Sequence, residues 1–378
     1  MYHKAGFYNG RNYPGWKEFL EELIGEETTG VILFVGEKTP FDYQQVQSHL
    51  REFTIPICGG IFPGVIYRGN IATAGVLGIS FNKPFKLSII DKLAGLRDFQ
   101  LSFENQKQLQ TCLVLVDGWA SGIDDFLYKL FASSTHNIKF IGGGAGRLAL
   151  QQHPSLFTRD NFWADGGIVV SIDSAIGIGV AHGWQFLHGP IVANKVADQY
   201  LQEIDWQPAF DYYRKIIKNK TGLKINADNF PDIAKGYPFG MVKTDGSLVV
   251  RDAVSVKDGT IRLIGTIPQN SVLTILQSSS QSLITAAGRA VNQAYTDYKN
   301  DTPYKNDTPN NKPTGMFVIS CISRSIYLEN QVNDELREIQ TNNLENLPLA
   351  GFFSIGEIAS LGDRYIELFN KTVVVGVG

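Results

Sequence analysis

The strongest constraint on what this chain can fold into is internal: a strand, a helix, a glycine-rich turn and a further strand recur three times along its 378 residues. A repeated unit has to bury its apolar face against its own copies, so repeats decide an architecture before any single motif does. The first unit runs from a strand at Val31 to Val35, through helical periodicity at about Phe41 to Phe53, into Ile55-Pro56-Ile57-Cys58-Gly59-Gly60-Ile61-Phe62-Pro63-Gly64-Val65-Ile66. It ends on the strand Gly75 to Phe81. The second has a strand at Cys112 to Val116, a helix at about Ile123 to Ser133, the segment Ile138 to Gly146, and a strand at Gly167 to Ile172. The third has Gly315 to Cys321, a helix at Val332 to Gln340, the turn Leu347-Pro348-Leu349-Ala350-Gly351-Phe352-Phe353-Ser354-Ile355-Gly356-Glu357-Ile358, and a last strand at Thr372 to Val377. Units one and three align without a gap, Gly59 with Gly351, Gly64 with Gly356 and Ile66 with Ile358. The shared glycines predict tight turns that need positive φ.

Between units two and three the pattern changes. Gly167 to Ile172 and Ala175 to Ala181 are separated by Asp173-Ser174 and read as a hairpin. Further hairpin turns are expected at Thr244-Asp245-Gly246 and Lys257-Asp258-Gly259, with strands at Ser247 to Val256 and Thr260 to Thr266. Helices are expected at Val192 to Glu203, Pro208 to Ile217 and Ser278 to Tyr298. The tandem hexapeptide spanning Tyr298 to Pro309 reads as an exposed loop. The fold class is therefore α/β of the α+β type, with mixed, largely antiparallel sheets flanked by helices.

Composition then narrows function. With 43% hydrophobic and 19% charged residues the chain is globular. A net charge of −3, with no cluster of Lys and Arg among aromatics, gives neither nucleic acid nor an acidic membrane a docking surface. Three scattered cysteines, Cys58, Cys112 and Cys321, point to a reducing compartment and a cytoplasmic home. Residues 1–29 read as an N-terminal leader without signal-peptide character, and no apolar run approaches the ~20 residues of a membrane span.

No phosphate-binding loop, zinc-protease helix or nucleophile elbow is present. Gly142-Gly143-Gly144-Ala145-Gly146-Arg147 could offer backbone amides to an anion beside Arg147, or could simply be structural. Cys321 stands near Arg324, which would lower a thiol pKa and suit a reactive cysteine, or it is a small core residue. Glu357 lies where unit one has Val65, so any carboxylate role belongs to the third unit. His182 and His188 bracket Gly183-Trp184-Gln185-Phe186-Leu187, a neutral nitrogen ligand beside flat apolar side chains, which is what noncovalent haem needs; a satisfied core histidine is the other reading.

In order, Ile138 to Arg147, Gly179 to Gly189, Val249-Val250-Arg251, Cys321 to Arg324, Gly351 to Glu357 and Asn370 to Val373 resemble the FIST family of sensory proteins. The resemblance implies an N-terminal FIST region over 30–205 and a C-terminal one over 206–378, acting together as a ligand sensor in signal transduction. One branch of the family binds haem, senses nitric oxide and regulates a separate histidine kinase. On that analogy the expected cofactor is haem b, the expected ligand a diatomic gas, the iron ligands His182 and His188, and the haem-facing residues Trp184 and Phe186. The alternative is a sensor of amino acids or another small anion, using Gly143, Gly144, Arg147, Arg251, Cys321, Arg324, Gly356 and Glu357. A third reading, from another class, is an enzyme using Cys321 with Arg324 and Glu357, although the expectation is of a protein that is not an enzyme. A homo-oligomer is compatible with each.

Overall fold

The computed structural model describes residues 2–10, 12–96, 101, 109–134, 137–149, 152–243, 246–301, 312–360 and 365–378. His136, Thr244, Asp245 and most of the tandem hexapeptide lie outside these residues.

Each repeat is a three-stranded core of one pattern. In unit one, Gly30–Gly36 pairs in parallel with Ile57–Phe62 and antiparallel with Val76–Phe81. In unit two, Gln110–Asp117 pairs in parallel with Ile138–Ala145 and antiparallel with Gly167–Ile172. In unit three, Met316–Cys321 stands likewise between Leu349–Ser354 and Val373–Val377. The ends match atom for atom: the amides of Gly36, Asp117 and Cys321 donate to the carbonyls of Gly75, Gly166 and Thr372. A parallel pair needs a crossover, and the helices Tyr43–Leu50, Ile123–Ala132 and Val332–Asn342 supply it.

The units are interlocked by exchange. The hairpin after the second strand of unit one, Gly64–Tyr67 with Asn70–Ala72, pairs with unit three. That of unit three, Glu357–Ser360 with Ile366–Phe369, pairs with unit two, and that of unit two, Leu156–Thr158 with Phe162–Trp163, pairs with unit one. Outer strands travel the other way: Phe85–Ile90 leaves unit one for unit two, and Gly177–Ala181 leaves unit two for unit three. Lys4–Tyr8 fills the corresponding edge of unit one. Three six-stranded mixed sheets result, each built from distant parts of the chain. Their inner faces meet around Phe34, Phe62, Phe317 and Phe352, with ring centroids 4.2 to 5.7 Å apart. Each such buried ring contributes about 1.5–3 kcal/mol.

The glycine pattern is shared: Gly356 adopts the expected positive φ of 85°, but three other glycines are needed for a different reason. Gly59, Gly142 and Gly351 lie within strands, without positive φ. A Cβ on them would stand 2.1, 1.8 and 1.9 Å from the carbonyl oxygens of Leu33, Val114 and Val318 on the parallel neighbour. Close approach of two backbones, and not turn geometry, demands glycine there.

The segment between units two and three forms a further sheet from seven strands in one path, from Leu248–Arg251 at one end to Ala253–Lys257 at the other. Only Asp252 separates these end strands in the chain, so the sheet curls back on itself. The expected single strand Ser247 to Val256 is thus two, broken at Asp252. Both hairpins flanking Gly246 and Gly259 are present. The helices at Ala209–Thr221 and Ser280–Asp301 match expectation.

Two elements differ. The expected helix Val192 to Glu203 is a hairpin, Gln185–Ala197 with Tyr200–Ile204, turned at Asp198 with φ 53°. The expected hairpin of Gly167 to Ile172 with Ala175 to Ala181 does not form, because the two strands belong to different sheets. Gly177 and Gly179 carry the second strand against the helix Ser280–Asp301, where a Cβ would meet the Ala294 and Ala290 carbonyls at 2.1 and 1.9 Å. That packing outcompetes the short turn.

Candidate ligand pocket

Units two and three point the carboxyl ends of their parallel strands toward the inserted sheet. A pocket of about 180 Å³ opens in this crevice, and strand ends of this kind are where α/β proteins hold ligands. No residue of unit one lines the pocket.

The walls are apolar: Trp119, Val254, Ile264, Ile322, Ile326 and Ile355. The floor is polar and comes from the ends of strands. Lys371, fully buried, pairs with Asp252 at 3.0 Å and donates to the Lys235 carbonyl at 3.1 Å. Its ammonium also lies 5.6 Å from the centroid of the Trp184 ring. Asp252 accepts from the Ser323 hydroxyl through its other oxygen, and its backbone amide donates to Asn370 Oδ1 at 3.2 Å. Lys371 sits at φ 53° in the short link between Ile366–Phe369 and Val373–Val377. A non-glycine residue in this region costs of order 1 kcal/mol, which the surrounding contacts must offset.

Behind the floor lies Glu357, fully buried. It accepts from Ser354 Oγ at 2.7 Å, from the Thr372 amide at 3.2 Å, and from the Cys321 thiol. Burial raises its pKa from 4.5 to about 8, against those hydrogen bonds. Burial, and next the Glu357 and Asp252 carboxylates, push the Cys321 thiol up as well. The lowered thiol pKa expected from Arg324 is therefore not found. That guanidinium is committed elsewhere: it pairs with Glu335 and donates to the carbonyls of His182, Lys371 and Leu283.

The remaining candidates are dispersed. Arg251 is buried on Glu367 at 3.0 Å and on the Thr266 and Leu368 carbonyls. Arg147 donates to the Glu37 carbonyl, and its own carbonyl holds the Trp119 indole at 3.0 Å. Gly143 lies opposite Glu357 in the exchanged hairpin, and Gly144 makes two bonds across it, its amide to the Gly356 carbonyl and its carbonyl from the Ile355 amide. A Cβ on Gly144 would stand 2.0 Å from the Ile355 oxygen, so this glycine admits the turn that walls the pocket. Of the predicted residues, Cys321 and Gly356 line the pocket and Glu357 backs it.

The four residues expected around haem do not share a slot. His182 accepts the Trp184 amide on Nδ1, and burial, then Arg324 and Arg289, lower its pKa to about 4. Trp184 is packed against Leu276, Leu283 and Leu328 with its indole N–H on the Lys371 carbonyl. Phe186 is 59% exposed, and His188 faces Tyr212 at 3.5 Å on the strand beyond. These residues do not fit a porphyrin, which needs one apolar slot under a free imidazole nitrogen. Among the described residues no group of three or more His, Cys, Asp or Glu could hold a metal ion.

Two family models match nearly the whole chain, the FIST N domain over residues 29–207 and the FIST C domain over 209–360. The chain belongs to the FIST family. FIST domains are associated with small-ligand sensing in signal transduction, and a pocket at the junction of the two matched regions agrees with that role. Trp119 comes from the FIST N region and the polar floor from FIST C or just beyond its matched end. No curated protein matches the chain at a significant level. Among the described residues no helix is long and apolar enough to cross a membrane.

Asp252, Ser323 and Lys371 went unread in the sequence, although each lies beside or within a segment that was singled out. Arg251, Arg324 and Cys321 carried the visible signal of charge or nucleophile. The only local sign of Lys371 is its place in Asn370-Lys371-Thr372 between two apolar strands.

Proposed function

We propose that this FIST protein senses a small amino acid, or a similarly sized anion, bound in the pocket between units two and three. The observation that carries the reading is a buried ion pair, Asp252 with Lys371, on the polar floor of a cavity with apolar walls. A buried pair gives little net stability, so its presence asks for a use. A zwitterion answers both charges at once, carboxylate to Lys371 and ammonium to Asp252, and an anion answers Lys371 while Asp252 keeps its Ser323 bond. The volume is slightly above the roughly 150 Å³ that accommodates benzene, which sets the side chain at small aliphatic size.

The signal would pass to a separate partner protein, for which a histidine kinase is the expectation from family resemblance. The test is thermal unfolding of the purified chain with a panel of free amino acids. Small aliphatic ones at millimolar levels are expected to raise Tm by mass action, and D252N to abolish the rise. A flat panel would refute the pocket reading. An absorption spectrum of the protein as expressed, with a Soret band sensitive to nitric oxide, would return the function to haem.

A further inference from the structure

The ammonium of Lys371 does more than neutralise Asp252. Its hydrogen bond to the Lys235 carbonyl ties down the segment Pro231 to Lys235, which closes one side of the pocket and includes the short helix Phe230–Ala234. This segment is anchored at its start by Phe230, whose ring packs on Tyr213 and Phe210 with centroids 5.7 and 5.8 Å away. At its far end the Tyr237 carbonyl accepts from Tyr213 Oη at 2.8 Å, just before the strand Phe239–Val242 of the inserted sheet. Between these anchors Pro231 and Asp232 are exposed, and the Lys235 side chain pairs with the exposed Glu329 at 3.5 Å. The segment is therefore a strap, fixed by aromatic packing at its start and by a hydrogen bond at its end, with Ala234 packed in the core between them and the Lys235 carbonyl held by a lysine that belongs to another unit.

We propose that Lys371 is the specificity and release residue of this pocket: it selects ligands bearing an anionic group and, on binding one, gives up the Lys235 carbonyl and frees the strap. The inference rests on the reading above and adds the mechanism of its response. A ligand carboxylate attracts the ammonium with a full charge where the Lys235 carbonyl offers only a dipole, so the side-chain end swings toward the ligand and away from that carbonyl. Asp252 keeps the Ser323 hydroxyl and gains the ammonium of a zwitterion, so no buried charge is stranded. The positive φ of Lys371 and the Arg324 bond to its carbonyl fix the backbone, leaving the side-chain end as the part that moves. Freed at Lys235, the strap passes the change to the inserted sheet, whose strand Phe239–Val242 follows it directly in the chain.

The experiment uses the full chain and three probes of one size: L-valine, isovalerate and isoamylamine. Binding is read by Tm, and strap release by hydrogen exchange at the amides of Lys235, Gly236 and Tyr237, which bond to Pro231, Ile233 and Ala234 carbonyls. Valine and isovalerate are expected to raise Tm and to speed exchange at these amides by about tenfold, with isoamylamine doing neither. K371M is expected to exchange quickly there without any probe and to lose the preference for isovalerate over isoamylamine, while amides of Met316–Cys321 stay protected. Probes that raise Tm without changing the three amides would overturn the release step and leave the pocket reading standing. If no probe binds, the pocket reading fails, and normal strap exchange in unliganded K371M then overturns the latch as well. Should K371M not fold, exchange in the unaltered chain with and without isovalerate decides alone.

Discussion

Units one and three share a backbone and differ in chemistry. At matching positions unit one ends in Gly36, Phe62 and Gly75, and unit three in Cys321, Ser354 and Thr372. The strand after the turn begins with Val65 in the first and Glu357 in the third, both fully buried. Val65 lies opposite Phe352 in the central apolar cluster, while Glu357 has three donors around it. One copy is thus packing and the other a polar wall behind a pocket, on the same scaffold. The lesson is that the repeat specifies close backbone approach and leaves the strand ends free to diverge.

Exchanging the two chemistries should break the comparison most sharply. V65E buries a carboxyl among aromatic rings without a donor, and is expected to cost about 3–5 kcal/mol, read as the urea midpoint. A near-normal midpoint would mean that the unit-one end can hydrate.

The shared feature is tested by G351A, whose Cβ would lie 1.9 Å from the Val318 oxygen. Overpacking of this kind costs about 1–3 kcal/mol or more, and G142A and G59A should behave alike if the three positions are equivalent. Unequal losses would show that one unit tolerates a wider strand spacing. The reciprocal E357V leaves Ser354 Oγ and the Thr372 amide without their acceptor and is expected to cost about 1–3 kcal/mol.

The most gradual effect is in pH. Because Glu357 holds its proton to about pH 8 when folded and releases it near 4.5 when unfolded, the folded state binds more protons in between. Its contribution therefore falls as pH rises through that window, by at most about 1.4 kcal/mol per pH unit, and E357Q should flatten this slope. His182 acts in the opposite sense. Its folded pKa is lowered from 6.5 to about 4, so stability falls as pH drops through that interval, and H182Q should remove the loss. Denaturant titrations of the two variants across pH 4 to 8 check both signs.

Much of the fold was legible because the parallel strands are continuous apolar runs and the glycines recur in register. The hairpin Gln185–Ala197 with Tyr200–Ile204 was not, since its residues alternate weakly and its turn depends on Asp198 adopting positive φ. Among site residues, Glu357 was found by comparing copies. Asp252, Ser323 and Lys371 were missed because a residue beside a conspicuous one can face the other way along a strand or turn.

Sequence alone determined the three-unit plan, the recurrence of glycine at Gly59 and Gly351, and the departure of unit three from unit one. Only the tertiary structure decided which unit receives each hairpin and outer strand, because such partners are far apart in the chain and local patterns carry no address for them. The same exchange brings the unit-three turn at Ile355 and Gly356 onto Gly144, and places Lys371 within reach of Asp252. The pocket is a product of that meeting, which no single segment encodes.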